Sequence, residues 1–329
     1  ELITQLIQMP AENSGILLTN LMVKGWIDHE VLREVRKDLI SITLTGDRHG
    51  LPQVDYTVGP ALGIPHFTGP EGSSDPIASA IPTWDLLAGQ LCVTTLLAAE
   101  RYRFISGKGQ KIEVSLKDVA AATLGHLGLL SDAVLNSEER QKAGNSLYGA
   151  YGQDFICADG ERVMVIGLTL RQWQGIVQIT ETADKMAELE KTHNIDLSDE
   201  SVRWKYRHEI TQILEPWFKK RIVSDFSDIF NSAKLTWSRF RSLKEAMQFD
   251  DDLSLKNPLF QNVNQPGIGQ HLVPTHPAKF SEFDRKSAEK APILGAHTEE
   301  ILLEVMKLSE AEVASLFDNR IVAGPNHNV

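Results

Sequence analysis

A turn, a strand and the start of a helix follow one another in the run Gly107-Lys108-Gly109-Gln110-Lys111-Ile112-Glu113-Val114-Ser115-Leu116-Lys117-Asp118. The glycines end an apolar helix that we predict over residues 83–106, with Thr83 as its N-cap. Residues 111–116 form the predicted strand, and Asp118 opens an Ala-rich helix predicted over residues 118–135. A strand that passes into a helix is typical of α/β proteins, and this run therefore sets the expected fold class.

Two shorter apolar runs lie upstream of this strand. Residues 16–20 and 39–44 are predicted strands, and a predicted helix over residues 29–36 separates them. Their side chains show little alternation between apolar and polar, which is the pattern of strands buried on both faces of a parallel sheet. The Gly- and Pro-rich connection over residues 45–82 is expected to carry function, because long ordered loops often do.

The pattern changes beyond about residue 151. Two short strands are predicted within residues 155–168, joined at the turn dipeptide Asp159-Gly160. Residues 171–247 are predicted to be mostly helical, and residues 250–280 to be irregular. This stretch therefore has a different architecture from the first part of the chain.

The chain ends on a predicted pair of helices, which begin near Thr298 and Ser309. The second helix has a capping box between Ser309 and Glu312. We predict a large α/β domain with a parallel sheet, built from both chain ends, and an inserted smaller α+β domain. The predicted boundaries are residues 1–151 for the first part of the large domain, 152–280 for the small domain and 281–329 for the return to the large domain.

Composition narrows the classes of function. The chain has 33 basic and 44 acidic residues, a net charge of −11, and such a protein lacks the broad basic surface that nucleic acids require. Its two cysteines are too few for a disulfide framework or a multi-cysteine metal site, which fits a reducing, cytoplasmic compartment. No apolar run reaches the ~18 residues that cross a bilayer, and no secretory signal is visible. We expect no nucleic-acid partner and no membrane attachment.

The familiar cofactor and metal motifs are absent from the sequence. It contains no Gly-x-Gly-x-x-Gly after a strand, no phosphate-loop lysine, no His-Glu-x-x-His and no Gly-x-Ser-x-Gly. We therefore expect no metal and no tightly bound cofactor.

Asp118 is a candidate because the ligands of open α/β sheets gather where strands end and helices begin. From the residues alone, two compatible roles stay open. The carboxylate can cap its helix by accepting bonds from free backbone N–H groups. It can also act as a nucleophile, with those N–H groups steadying an oxyanion beside it. His126 lies about 12 Å along the same helix, too far to be its general base, and its apolar neighbours predict a packed side chain.

A basic cluster borders the predicted strand. Its members are interleaved with acidic residues: Arg101, Arg103, Lys108, Lys111 and Lys117. The cluster is either a solvated helix end and strand edge or an attractor for an anionic ligand, and the sequence leaves both open.

Three segments together resemble the class III CoA-transferases, the family of formyl-CoA transferase and α-methylacyl-CoA racemase. They are residues 107–118, Trp84-Asp85-Leu86-Leu87-Ala88-Gly89 and Pro292-Ile293-Leu294-Gly295-Ala296-His297-Thr298-Glu299-Glu300-Ile301-Leu302. The resemblance implies a Rossmann-like large domain, an interlocked homodimer and CoA as a substrate moiety. It makes Asp118 the match for the family's catalytic aspartate. It also implies a strand–helix–strand segment that helps to bind CoA, and we expect this segment to be missing before Glu1.

A second set of segments is similar to one branch of the family, which moves CoA within a single branched five-carbon dicarboxylate, mesaconate. The segments are Val54-Asp55-Tyr56-Thr57-Val58, Gly144-Asn145-Ser146-Leu147-Tyr148-Gly149-Ala150, Asp154-Phe155, Val163-Met164-Val165 with Gly167-Leu168-Thr169, and Gln265-Pro266-Gly267-Ile268-Gly269. The implied activity is transfer from C1 to C4 through an aspartyl-CoA thioester, with the acyl-CoA of a small dicarboxylic acid as partner. Transfer between an acyl-CoA and a free carboxylic acid is an alternative. A racemase is another, but it needs an acid/base pair, and Val54 stands where the racemase has a histidine.

The resemblance also implies binding residues. Asn20 and Leu21 match the family's contact pair for CoA, and Lys24 is a cation that could meet a phosphate. Three further residues are candidates for contact with the acyl group or its free carboxylate because of their positions in the long loop and the linker: Arg48, Tyr56 and Tyr148.

Overall fold

The computed structural model describes residues 1–10, 14–22 and 25–325. The chain divides into two compact units, residues 1–144 with 295–329 and residues 145–294. The first unit holds a parallel sheet, and the second is an inserted α+β unit. The predicted fold class is confirmed.

Three parallel strands form the sheet of the first unit, with β2 in the middle. The strands are β1 (Ile16–Thr19), β2 (Ile40–Thr45) and β3 (Gln110–Ser115), each within one residue of its prediction. Thr45 lies opposite Ser115, so β2 and β3 end side by side. The helices of this part of the chain are α1 (Leu2–Gln8), α2 (His29–Val35), α3 (Asp55–Ala61), α4 (Ile64–Phe67), α5 (Thr83–Ser106), α6 (Leu116–His126) and α7 (Leu129–Leu135).

The middle strand carries the core of this unit. Ile40 and Ile42 of β2 are fully buried and belong to one apolar cluster with Val58 of α3, Ala88 of α5 and Ala120 of α6. Burying one such isoleucine contributes about 1.5–3 kcal/mol. This packing holds the three helices against the sheet and so fixes where the strands end.

Helix α5 has the predicted bounds but not the predicted cap. Thr83 is its first residue rather than its N-cap, and Pro82, which precedes it, makes no side-chain cap bond. The backbone N–H of Trp84 instead donates to Oδ2 of the buried Asp55, at 2.7 Å. Asp55 opens α3, one of two short helices inside the connection that composition predicted as a loop. A carboxylate 29 residues upstream therefore holds the start of α5.

The single helix predicted over residues 118–135 is two helices. α6 ends at His126, Gly128 has a φ of +76°, and α7 begins at Leu129. A positive φ favours glycine and interrupts the helical path. Within the described residues, no single helix has the length and apolar composition of a membrane span. Only α6 and α7 taken together reach that composition, and they are bent by 65°.

The second unit contains an antiparallel sheet in the order β4 (Tyr151–Ile156), β5 (Arg162–Gly167) and β6 (Thr236–Arg239). The hairpin predicted at Asp159-Gly160 is confirmed, whereas β6 falls within a region predicted to be mostly helical. Phe155 of β4 stacks on Phe218, with ring centroids 4.1 Å apart, in the core of this unit. Its helices are α8 (Leu170–Ile179), α9 (Ala183–His193), α10 (Glu200–Lys205), α11 (Arg207–Lys219), α12 (Ser227–Ser232) and α13 (Leu243–Phe249), with 3₁₀ turns at Val223–Asp225 and Asp251–Leu253.

A second hairpin occupies the region predicted to be irregular. Its strands are β7 (Phe260–Gln265) and β8 (Gly269–Pro274). β7 is largely polar, and β8 has only two adjacent large apolar residues, Leu272 and Val273, so an apolar pattern could not reveal the hairpin.

The unit boundaries lie away from the predicted ones. Side-chain Oε1 atoms of Gln261 and Gln265, in β7, accept from the backbone N–H groups of Ala288 and Ala291, each at 2.8 Å. Residues 281–294 therefore group with the second unit, rather than with the large domain as predicted. Residues 145–151 also belong to the second unit.

The chain then returns to the first unit. α14 (Thr298–Glu300) passes into a π-helical turn (Ile301–Val305), and α15 (Glu310–Asp318) follows. The predicted capping box is confirmed, because the Ser309 hydroxyl accepts from the Glu312 N–H at 3.3 Å and the Glu312 carboxylate accepts from the Ser309 N–H at 2.8 Å.

Candidate active site

The carboxyl ends of the parallel strands open onto a cleft of about 410 Å³. β1 contributes Asn20 just beyond its end, β2 contributes the loop that follows it, and α6 contributes Leu116. Among the described lining residues, Asp85 of α5 is the only ionisable one. The lining residues are Asn20, Met22, Leu44, Thr45, Gly46, Gly50, Leu51, Pro52, Gln53, Val54, Asp85 and Leu116. The walls therefore combine apolar side chains with two side-chain amides, one threonine and one carboxylate.

Asp118 lies in the first turn of α6, two residues after Leu116. Ser115, the last residue of β3, is the N-cap, and its hydroxyl accepts from the backbone N–H of Asp118 at 3.1 Å. The prediction that Asp118 caps the helix is wrong, because β3 passes into α6 without a connecting residue and places the serine at the cap. The Asp118 side chain is exposed, and no donor to its carboxylate occurs in the described part of the chain. The carboxylate is thus available for chemistry.

Two backbone N–H groups at the start of α6 are already engaged. The Lys117 N–H donates to the carbonyl of Gly46 at 3.1 Å, and the Asp118 N–H donates to Ser115. An oxyanion beside Asp118 would therefore need donors other than these two groups.

Gly46 joins the loop after β2 to the turn that carries Asp118. Its carbonyl accepts from Lys117, and a Cβ at this position would lie 2.2 Å from the backbone nitrogen of Gln53. Such a distance excludes any larger side chain unless the backbone moves. The close approach of Gly46 to Gln53 therefore holds the loop against the end of the sheet.

A buried carboxylate organises this loop. Oδ1 of Asp47 accepts from the backbone N–H groups of Leu51 at 2.8 Å and His49 at 2.9 Å. These bonds, that of Leu51 first, hold the pKa of the Asp47 carboxyl below its ordinary value. The Thr45 hydroxyl donates to the Asp47 carbonyl at 2.8 Å. The loop is therefore closed on itself beside the cleft.

The structure brings part of the predicted binding set to this cleft. Asn20 lines it, whereas the neighbouring Leu21 is exposed and is not among the lining residues. Arg48 is exposed on the loop between Gly46 and Gly50, and its Nε donates to Nε2 of His49 at 3.2 Å.

Two further candidates, Tyr56 and Tyr148, are not among the described lining residues. Tyr56 is exposed in the first turn of α3. Tyr148 belongs to the second unit, where its ring lies 4.9 Å from that of Trp204, centroid to centroid. Lys24 lies outside the described residues.

Two members of the basic cluster have structural partners. Nη1 of Arg103 donates to the carbonyl of Ser14 at 3.0 Å, and Lys111 pairs with Glu113 at 2.8 Å. These contacts favour a structural role over a ligand-attracting one. His126 is exposed at the end of α6, rather than packed as predicted.

Sequence reasoning missed three polar residues of this region, Asp47, Gln53 and Asp85, as parts of a site. Asp47 follows a strand and lies between Gly46 and Gly50 in the sequence. An aspartate in such a setting is typical of an Asx turn, and that signal could have identified Asp47. The spacing from Ser115 to Asp118 is likewise that of a capping box and could have identified the cap. Within the described residues, no group of three His, Cys, Asp or Glu side chains could hold a metal ion.

Three comparisons with known proteins bear on this site. The model of CoA-transferase family III matches residues 10–298. The 2-methylfumaryl-CoA isomerase of Chloroflexus aurantiacus is 44% identical over 326 residues, which cover 99% of this chain and 80% of that protein. The succinyl-CoA:glutarate CoA-transferase of Mus musculus is 23% identical, over 90% of this chain and 66% of that protein. A CAIB/BAIF family protein from Brucella suis has the same fold, with a TM-score of 0.69 at 19% identity over 92% of this chain and 78% of that one.

Proposed function

Because the chain belongs to CoA-transferase family III, we propose that it moves CoA between the C1 and C4 carboxyl groups of mesaconate, converting 2-methylfumaryl-CoA into 3-methylfumaryl-CoA. The similarity to a 2-methylfumaryl-CoA isomerase across 99% of the chain supports this substrate. The observation that carries the mechanism is the exposed Asp118 carboxylate, which stands two residues from the cleft wall and has no donor in the described part of the chain.

The first half of the reaction transfers CoA to the protein. The Asp118 carboxylate attacks the thioester carbonyl, the carbon–sulfur bond breaks, and CoA leaves as a thiolate with a mixed anhydride in its place. The thiolate then attacks the aspartyl carbonyl of the anhydride. This step leaves an Asp118–CoA thioester and a free dicarboxylate.

The second half returns CoA to the other end of the dicarboxylate. Its second carboxylate attacks the Asp118 thioester and again expels the thiolate, which then attacks the acyl carbonyl of the new anhydride and frees Asp118. One thioester is exchanged for another, so the cycle needs no co-reactant. Water must be excluded, because hydrolysis of either activated intermediate ends the cycle unproductively.

The binding roles follow the same proposal. Asn20, which lines the cleft, and Leu21 beside it are assigned to CoA, and Lys24 to one of its phosphates. The acyl group and its free carboxylate are assigned to three residues: Arg48, Tyr56 and Tyr148. CoA acts as a substrate moiety, and we propose no tightly bound cofactor.

We also propose that the protein works as a homodimer, interlocked as in the family it resembles. Leu86, Val93, Leu97 and Phe104 lie on one face of α5, and each is more than half exposed. An apolar helix face of this length is suited to a second copy of the chain. Two free, buried cysteines support a reducing, cytoplasmic location, and the net charge of −11 argues against a nucleic-acid partner.

Trapping tests the nucleophile. Protein incubated with 2-methylfumaryl-CoA and then treated with hydroxylamine or borohydride is digested and analysed by mass spectrometry. We expect modification at Asp118 alone and none in an Asp118→Asn control. An unmodified Asp118 under turnover conditions would refute the proposal.

A labelled free acid separates intramolecular from intermolecular transfer. With ¹³C-mesaconate in solution, intramolecular transfer leaves the product unlabelled while CoA moves from C1 to C4. Label in the product would favour transfer to an external acid, as in the succinyl-CoA:glutarate enzyme. Solvent deuterium at the α-carbon would instead indicate a racemase.

A further inference from the structure

We propose that Asp47 is a positioning residue that holds one wall of the cleft in the shape that binds CoA. The inference rests on the proposed function for the identity of the ligand. Half of the described lining residues belong to the loop that Asp47 organises: Gly46, Gly50, Leu51, Pro52, Gln53 and Val54. The affinity for CoA should therefore depend on a side chain that is not itself among the lining residues.

The loop has little apolar packing of its own. Leu51 and Val54 are both more than half exposed, and residues 46–54 contain no helix or strand. Hydrogen bonds that converge on Asp47 replace that packing. Its carboxylate accepts from His49 and Leu51, and its carbonyl accepts from the Thr45 hydroxyl at 2.8 Å and from the Gly50 N–H at 3.1 Å. Asp47 therefore determines the path of the chain that forms the wall.

The wall is also tied to the turn that carries the nucleophile. Gly46 precedes Asp47, contacts the backbone of Gln53 and accepts from the Lys117 N–H. The charge of Lys117 further favours the ionised form of the Asp47 carboxylate.

Calorimetric titration with CoA tests the inference on three variants. Asp47→Ala removes both side-chain bonds and should raise the Kd for CoA about tenfold. Asp47→Asn keeps a side-chain oxygen in place and should stay within about twofold of the wild type. Asp47→Glu keeps the charge but moves the acceptor by one methylene, should weaken binding about fivefold, and serves as the test if Asp47→Ala does not fold.

The matched control is Asp196→Ala in the second unit. Asp196 accepts from the Ser198 N–H at 2.8 Å in a similar turn, and its loss should leave the Kd unchanged. Amide hydrogen exchange at His49 and Leu51 reports directly on the loop and should become faster in Asp47→Ala only.

Three results separate the possible failures. Fast exchange in Asp47→Ala with a wild-type Kd would overturn the inference and leave the proposed function intact. Equal weakening in Asp47→Ala and Asp47→Asn would also overturn it, because charge rather than position would then matter. A wild-type protein that does not bind CoA would overturn the proposed function, and the inference with it, before any variant is made.

Discussion

At the amino end of the parallel sheet, the guanidinium groups of Arg36 and Arg103 meet the carboxylate of Asp38, at 2.7 and 3.9 Å. Both also donate to backbone carbonyls, Arg36 to Met9 and Arg103 to Ser14. At the carboxyl end, the Asp118 carboxylate is exposed and meets no donor among the described residues. The charges at the amino end are engaged in structural contacts, whereas Asp118 at the carboxyl end has no donor to its carboxylate among the described residues. The variants below test this division.

The largest effect is expected from Asp118→Asn. Removing a nucleophile should lower kcat for the isomerisation by at least about 10⁴-fold. The free energy of unfolding should change by less than about 0.5 kcal/mol, because the carboxylate makes no bond that the fold needs. A coupled assay of CoA movement and a urea titration measure the two quantities.

Asp184→Asn is the control for this variant, since Asp184 is an exposed aspartate in the first turn of α9. It should leave kcat unchanged. An Asp118→Asn protein that transfers CoA at the wild-type rate would show that the carboxylate at the carboxyl end of the sheet is not the nucleophile.

Substitutions of one glycine at each end of the parallel sheet allow the two ends to be compared directly. A Cβ at Gly46 would lie 2.2 Å from the nitrogen of Gln53, and one at Gly109 would lie 2.1 Å from the carbonyl oxygen of Leu39. Overpacking of this kind costs about 1–3 kcal/mol, so Gly46→Ala and Gly109→Ala should be destabilised to a similar degree.

Only Gly46→Ala should also impair the reaction. It displaces the cleft wall, and misplacement of about 1 Å can cost up to about 10²-fold in rate, so kcat/KM should fall ten- to hundredfold. Gly109→Ala should keep the wild-type kcat/KM per folded molecule. Equal losses in both variants would show that the two ends of the sheet are not functionally distinct.

Local sequence signals predicted most of the first unit. The apolar runs located all three strands within one residue, and the strand–helix junction placed Asp118 at the carboxyl end of the sheet. The apolar pattern could not predict contacts between residues that are far apart in the sequence. Asp55 caps α5 across 29 residues, and nothing near Trp84 in the sequence indicates that partner.

The features of the candidate site that the sequence did not predict also depend on the three-dimensional path of the chain. The Gly46 contact with Gln53 depends on a chain path that composition does not encode. Asp118 and Ser115 compete for one cap, and the choice depends on where β3 stops.

Arg36→Met tests the contacts at the amino end of the parallel sheet, and we expect it to change only the free energy of unfolding. The Arg36 side chain is 15% exposed, and its loss removes bonds to the carbonyl of Met9 at 2.6 Å, the hydroxyl of Ser14 at 2.8 Å and the carboxylate of Asp38. We expect a loss of about 2 kcal/mol, with kcat unchanged per folded molecule.

The pH dependence of that loss identifies the role of Asp38. The side-chain bond from Arg36 holds the pKa of the Asp38 carboxyl below its ordinary value. A carboxyl with a lowered folded pKa stabilises the protein fully above its unfolded pKa and loses this contribution as the pH falls through the folded value. The stability difference between wild type and Arg36→Met should therefore be constant above about pH 5 and shrink below about pH 4. Urea midpoints across this range measure it, and a difference that does not change with pH would assign the effect to the carbonyl bonds alone.

The smallest effects on stability and rate are expected from replacing the serines that cap two helices. Ser115 and Ser309 perform the same local task, each accepting from the N–H three residues on, at 3.1 and 3.3 Å. Replacing either by Ala should cost about 1 kcal/mol of stability. The difference lies in what the capped turn carries, because the turn after Ser115 holds the proposed nucleophile and the turn after Ser309 holds none. Ser115→Ala should therefore lower kcat about three- to tenfold through a misplaced Asp118, while Ser309→Ala leaves it unchanged. If both variants lose stability and neither loses kcat, the orientation of Asp118 does not depend on its cap, and the carboxylate must be positioned by the substrate or by a second copy of the chain.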